Sequence, residues 1–74
     1  MSTFPSLTGK KLIKILRKFG FEVARIKGSH HFLIHKDGRC TVVPVHGNET
    51  TGRGLLVKIL RDADLTKEEL QEKL

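Results

Sequence analysis

The sequence predicts an α+β fold in which a three-stranded antiparallel sheet carries two helices on one face and a short helix follows at the C-terminus. Three observations support this. Apolar residues recur at helical spacing near the start of the chain and again from Leu55 onward. Between these stretches lie three short segments rich in Val, Ile and Phe, separated by turn signals. The 74 residues are expected to form one domain, 1–74.

The first helix is predicted between Thr8 and Phe19, because its apolar residues fall on one side of a helical repeat and its basic residues on the other. Ser6 or Thr8 can cap its start, and Gly20 can supply the left-handed residue that ends it. The basic side consists of Lys10, Lys11, Lys14, Arg17 and Lys18.

The three strands are predicted from β-branched and aromatic residues flanked by turn residues. Gly28-Ser29 is expected to join the first two strands, and Asp37-Gly38 is a strong two-residue hairpin signal before the third. Pro44 favours an edge position for that last strand. The predicted strands are Phe21 to Lys27, His31 to His35, and Arg39 to Val45.

A loop and two helical segments follow. The residues from His46 to Gly54 hold three glycines and show no periodicity, which is typical of a loop. A helical apolar stripe then runs from Leu55 to Ala63, and Thr66 and Glu69 have the spacing of a capping box at the start of a last short helix.

The charge is unevenly distributed along the chain. Through Arg61 there are 12 basic and three acidic residues, whereas the last 13 residues hold two basic and five acidic ones. A strongly basic body favours a polyanionic partner, with nucleic acid first and an acidic protein second.

Size and cysteine content exclude several classes of protein. A chain this short buries too little surface to favour a deep substrate cavity. The single cysteine, Cys40, excludes an intramolecular disulfide and a zinc site with two thiolates, and we expect it to be a small buried apolar residue. No membrane-spanning segment or signal sequence is visible, so a cytoplasmic location is expected.

The predicted order α-β-β-β-α is that of the double-stranded-RNA-binding fold. Element order alone does not establish activity, but the basic body favours RNA as the partner. Three of the four histidines lie between His30 and His35. One of His30 and His31 is expected to act and the other to pack or cap, because alternation along a strand separates them. It sends His30, Phe32 and Ile34 to one side and His31, Leu33 and His35 to the other.

Histidine chemistry suits RNA cleavage. The ribose 2′-hydroxyl is an internal nucleophile, and a side chain with an unperturbed pKa of about 6.5 can take its proton or protonate the leaving oxygen. Two alternatives remain open. The histidines can be surface or capping residues of a non-catalytic RNA-binding module, or His30 or His31 can converge with His35 and His46 on a zinc ion.

The candidate RNA-binding residues lie in several segments of the chain. Phosphate contacts are predicted in the strand region, on the outer side of the first helix, and beside the glycines that precede the second helix, although charged helix faces and turn glycines often have no such role. Phe32 is expected to pack in the core rather than stack on a base. The predicted RNA-binding set is Lys27, Ser29, Lys36, Arg39, Lys10, Lys14 and Arg53.

Two short motifs stand out in the middle of the chain, Gly28-Ser29-His30-His31 and Val43-Pro44-Val45-His46, with Lys10 to Gly20 before them and Lys58 to Ala63 after them. In these motifs, and over most of its length, the sequence resembles the HicA-like messenger-RNA interferase toxins. This resemblance implies a double-stranded-RNA-binding-like fold, metal-independent endoribonuclease activity without a cofactor, and neutralisation by a HicB-like antitoxin that covers the active face.

The resemblance also implies a catalytic histidine within the Gly-Ser-His-His step. His30 is the first candidate and His31 the second, because members of the family differ in which of these positions holds the working residue. The chain departs from the family pattern at Lys36, where proline is common, and at Asp64, where glycine is usual. Aspartate can occupy a left-handed position at some cost, so the predicted fold is unaffected.

Overall fold

The computed structural model describes residues 4–74. Residues 1–3, which the prediction includes in the domain 1–74, lie outside the described residues. The predicted α+β order is confirmed. The elements are α1 (Gly9–Lys18), β1 (Phe21–Lys27), β2 (His30–His35), β3 (Cys40–Pro44), α2 (Arg53–Ala63) and α3 (Lys67–Glu72).

The element boundaries differ slightly from those predicted. β2 begins at His30 rather than His31, because the turn needs only Gly28 and Ser29 before pairing starts. α2 begins at Arg53 rather than Leu55, since Gly52 takes the extended N-cap conformation. His30 is therefore a strand residue, with a side chain whose direction the sheet determines.

The sheet is an antiparallel meander in the order β1-β2-β3, so β2 is the central strand. Lys27 pairs with His30 across the two-residue turn. The second connection is longer than the predicted two-residue turn and spans residues 36–39. Within it the Gly38 N–H donates to the His35 carbonyl at 2.9 Å, and Gly38 has a φ of +100°.

The helices α1 and α2 cover one face of the sheet. Each strand contributes buried side chains to that face, including Phe21, Leu33 and Val43, each 1% exposed or less. Burial of such side chains is the main stabilising contribution in a chain of this size. The helices complete the core with Leu12, Ile15, Leu16, Leu56, Ile59, Leu60 and Ala63, and Leu7 and Leu70 join it.

The predicted helix caps are confirmed. The Thr8 hydroxyl oxygen accepts the Lys11 N–H at 3.2 Å at the start of α1. At α3 the Thr66 hydroxyl oxygen accepts the Glu69 N–H at 3.0 Å, and the Glu69 carboxylate accepts the Thr66 N–H at 2.8 Å. Both caps satisfy N–H groups that the first turn of a helix leaves without partners.

A polar contact joins β3 to α2. The buried Thr41 hydroxyl donates to the Asp62 carboxylate at 3.0 Å, and the Lys58 ammonium donates to the same carboxylate at 3.0 Å. The hydrogen bond from Lys58, together with that from Thr41, lowers the pKa of Asp62 below its usual value.

In the described part of the chain, no helix has the length and apolar character needed to cross a membrane.

A small substitution at the junction between α1 and β1 is expected to have a large effect on stability. Gly20 has a φ of +99°, and a Cβ there would lie 2.7 Å from His35 Nε2. We expect Gly20→Ala to lower the free energy of unfolding by about 2–4 kcal/mol, from backbone strain plus displacement of the His35 ring. The measurement is urea denaturation followed by circular dichroism.

Gly38→Ala is the matched control. Gly38 has a similar φ of +100°, but a Cβ at this position would have no atom within 4 Å of it. Only the strain contribution of about 1–2 kcal/mol is expected there. Equal losses in the two variants would show that the contact with His35 has no energetic effect.

The end of α2 predicts a stabilising substitution. Asp64 is the one non-glycine residue with positive φ in residues 4–74, at +56°, which confirms the left-handed position inferred from the sequence. We expect Asp64→Gly to raise the free energy of unfolding by about 0.5–1 kcal/mol, and the midpoint of thermal unfolding by about 3–6 °C. Asp64→Ala removes the same charge without relieving the backbone, so stabilisation by that variant would contradict the explanation.

Candidate functional site

The face of the sheet opposite the helices is exposed, and we call it the open face. The residues whose side chains lie on this face are identified from the alternation along β2 and from the pairing of β2 with β1 and β3. Phe32 and Ile34 point to the same face as His30, whereas Leu33 points into the core. The open face comprises Glu22, Arg25, Lys27, His30, Phe32, Ile34, Cys40, Val42 and Pro44.

A bulge in β1 brings two cations to this face. Val23 pairs with Leu33, but the next pair along the strands is Arg25 with Phe32, so Ala24 is an extra residue. Beyond the bulge the alternation is reversed, because one inserted residue changes the direction of every following side chain. Arg25 is therefore beside Phe32, and Lys27 is beside His30.

His30 lies at the end of β2, between Lys27 on β1 and Pro44 on β3. Its side chain is exposed, and within residues 4–74 its imidazole makes no hydrogen bond or ion pair. Both ring nitrogens are thus accessible to a ligand. An exposed imidazole next to an ammonium group can exchange a proton with a bound anion's hydroxyl group.

His31 is on the helix-covered side, between Ile26 and Val43, and is half-buried. Its Nδ1 lies 3.2 Å from the Ser29 carbonyl oxygen, which also accepts the Val45 N–H at 2.8 Å. A carbonyl only accepts, so this bond selects the Nδ1–H form and leaves Nε2 as the acceptor. His31 is therefore held by the turn, and it cannot act on the same face as His30.

His35 is part of the fold. Its Nε2–H donates to the Phe19 carbonyl at 3.1 Å, and its Nδ1 accepts the Asp37 N–H at 3.1 Å. The ring also meets the edge of Phe21, with ring centroids 5.2 Å apart. Both ring nitrogens therefore have partners within the fold, and His35 links the α1–β1 junction to the second hairpin.

Arg39 is also held by the fold. Its backbone N–H and its guanidinium donate to the Asp37 carboxylate, the former at 3.0 Å, and these bonds lower the pKa of Asp37. The guanidinium further donates to the Ala63 carbonyl and lies 5.3 Å from the centroid of the Phe21 ring. These contacts leave little of the guanidinium for a phosphate.

The structure separates the other predicted RNA-binding residues. Lys27 and Ser29 belong to the hairpin beside His30, whereas Lys36 and Arg39 belong to the hairpin at the other end of β2. Five residue steps, about 17 Å, separate the two ends of this strand. The predicted RNA-binding residues Lys27, Lys36 and Arg39 therefore do not form one phosphate-binding group around a single hairpin.

Lys10, Lys14 and Arg53 lie on the helices. Lys10 and Lys14 are exposed on the side of α1 that points away from the sheet. Arg53 is exposed at the start of α2, where its guanidinium lies 5.4 Å from the centroid of the Phe4 ring. None of the three shares the open face with His30.

The acidic residues near the C-terminus have local structural roles. The Asp62 carboxylate is held by Thr41 and Lys58, and Asp64 takes the left-handed position that ends α2. Glu69 closes the capping box of α3, where negative charge in the first turn complements the helix dipole. These carboxylates belong to the helical part of the chain, so they do not neutralise the cations beside His30.

Two residues of the open face differ from what the sequence pattern predicts. Cys40 is exposed rather than buried, and Phe32 lies outside the buried core rather than in it. Both expectations are wrong because apolar character alone does not reveal which face of a strand the helices cover. The alternation of side chains along a strand places Phe32 on the same side as His30, and this was the sequence signal from which the exposure of Phe32 could have been predicted.

Nothing in the sequence pattern singles out Arg25. A regular strand would turn Arg25 and Lys27 toward the helices, since both follow Phe21 by an even number of residues. The bulge that reverses them has no glycine to mark it.

The alternative of a zinc site finds no support in the arrangement, because no three His, Cys, Asp or Glu side chains among residues 4–74 group as metal ligands.

Comparison with known proteins gives a family for the chain. Residues 9–65 match the family model described as the HicA toxin of bacterial toxin-antitoxin systems. None of the curated proteins matches the sequence. The matched segment runs from the first residue of α1 to just beyond α2, and it contains the whole sheet with His30 and the bulge. Since the match covers well over half of the chain, the protein belongs to the HicA toxin family of toxin-antitoxin systems.

Proposed function

We propose that the protein is a metal-independent endoribonuclease that cleaves messenger RNA, with His30 as the catalytic residue. The observation that carries this proposal is the exposed imidazole of His30, unpartnered in the described residues and placed beside Lys27 on a chain of the HicA toxin family. A messenger-RNA substrate implies a cytoplasmic site of action.

The proposed reaction needs few protein groups. His30 takes the proton from a ribose 2′-hydroxyl, and the 2′-oxygen attacks the adjacent phosphorus. The bond from phosphorus to the 5′-oxygen breaks, that oxygen takes up a proton from water, and His30 releases the proton it took to the solvent. The neighbouring Lys27 ammonium stabilises the negative charge that develops on the phosphate oxygens. The products are a 2′,3′-cyclic phosphate and a free 5′-hydroxyl.

The open face is also the proposed binding surface for RNA and for the antitoxin that neutralises the protein. Lys27 and Arg25 attract the RNA backbone to the sheet, and Ser29 lies in the adjoining turn. A HicB-like antitoxin is the proposed partner. It would block cleavage by covering the open face, since a protein seated there excludes RNA from His30.

The first test is cleavage without metal. The purified protein is expected to cut single-stranded RNA in excess EDTA and to leave 2′,3′-cyclic phosphate ends, because the proposed reaction uses only side chains and the 2′-hydroxyl. Product ends are identified by mass spectrometry. Binding without cleavage would favour a non-catalytic RNA-binding module, and cleavage restored only by added metal would favour a metal-dependent site.

The second test assigns the histidine. We expect His30→Ala to reduce the cleavage rate by at least about 100-fold, the lower range for loss of a general acid or base. His31→Ala is the matched comparison, because it removes the neighbouring imidazole from the other side of β2. Circular dichroism establishes that each variant is folded. Parental cleavage by His30→Ala together with loss in His31→Ala would move the site to the helix-covered side.

A further inference from the structure

The aromatic ring on the open face has no role in the core. Phe32 is half-buried and faces the same side as His30, two residues away along β2. The Arg25 guanidinium carbon lies 5.1 Å from the centroid of the Phe32 ring. The other three phenylalanines are directed to the core, with Phe21 buried in it and Phe4 and Phe19 packed against it.

The surroundings of Phe32 form a shallow apolar groove. It has a volume of about 440 Å³ and runs from the bulge at Ala24 across Ile34 and Val42 to the edge of β3, where the Lys58–Asp62 ion pair borders it. Such a groove is wide enough for a flat ring and is open to solvent on one side. Phe32 and Val42 are paired across the strands and form its centre.

The charged side chains around Phe32 indicate which kind of ligand the groove binds. Arg25 and Lys27 flank the ring and His30, whereas the acid that the strands place on this face, Glu22, pairs with Ile34 toward the other end of the sheet. A polyanion is therefore favoured at the end that holds His30. RNA fits better than an acidic peptide, because a nucleobase offers a planar face both to the aromatic ring and to the guanidinium.

We propose that Phe32 and Arg25 form a stacking platform for an unpaired base of RNA next to the phosphate that lies at His30. This inference rests on the proposed function, since it places the base relative to the scissile phosphate. His30 and Phe32 are about 7 Å apart along the strand, close enough for one splayed nucleotide to contact both. The platform restricts the substrate to single-stranded RNA, because the base faces of a double helix are stacked inside it.

Binding is measured in the His30→Ala background, where the RNA is expected to remain intact. The probe is a short single-stranded oligoribonucleotide that contains 2-aminopurine, a base whose fluorescence is quenched when it stacks. We expect binding with quenching. Phe32→Ala is expected to reduce the affinity about 10-fold and to remove the quenching, in line with the loss of one base–aromatic contact.

Two further variants separate stacking from other effects. Phe32→Leu keeps an apolar side chain in the groove but removes the aromatic face, and we expect it to lose affinity and quenching as Phe32→Ala does. Lys27→Ala is expected to weaken binding and to lower the dependence of log K on log salt by about one unit, with quenching retained. A double-stranded RNA of the same sequence is expected to bind at least about 10-fold more weakly.

Several outcomes would overturn the inference. They are parental affinity and quenching in both Phe32 variants, equal binding of single- and double-stranded RNA, and loss of antitoxin binding in the Phe32 variants with RNA binding unchanged. The last result would make the face a protein interface. If instead the parental protein fails to cleave RNA while Phe32-dependent quenching is observed, the stacking platform stands and the proposed ribonuclease activity is contradicted.

Discussion

The extra residue in β1 determines which side chains the sheet presents to solvent. Without the bulge at Ala24, Ile26 would lie on the open face, and Arg25 and Lys27 would point toward the helix layer. Ile26, which takes that side in the bulged strand, is 58% exposed, so the bulge changes the direction of the two cations rather than their burial. The bulge lies on an edge strand, where the pairing of only one side must adapt to it. The positive charge of the candidate site is thus a consequence of strand register.

The three histidines of β2 show how the same strand assigns different roles to one residue type. His35 uses both ring nitrogens, on the Phe19 carbonyl and the Asp37 N–H, and its Nδ1 also lies 3.1 Å from the Asp37 carboxylate. His31 uses one nitrogen on the Ser29 carbonyl. His30 uses neither within the described chain. The number of ring nitrogens without a partner in the fold therefore increases along the strand toward the first turn, and for this reason the proposed function assigns the proton transfer to His30.

Much of the fold was predictable from local sequence, whereas the composition of the site was only partly so. Helical spacing, the capping box at Thr66 and the alternation along β2 each depend on residues close in sequence, and the structure agrees with them. The exposure of Phe32 and Cys40 depends on which face the helices cover. That choice is a tertiary property, so the pattern of apolar residues within one strand does not contain it.

A small chain can support catalysis on such a face because the substrate supplies part of the chemistry. A 74-residue protein has one core, and here the helices and one side of the sheet form it. No second layer within the described chain encloses the other side. RNA cleavage through the 2′-hydroxyl does not need one, since nucleophile and leaving group are both in the substrate and the protein has only to move a proton and stabilise charge. Under the proposed function the open face has to provide orientation, and the proposed stacking on Phe32, which β2 holds two residues from His30, would supply it without burying the RNA.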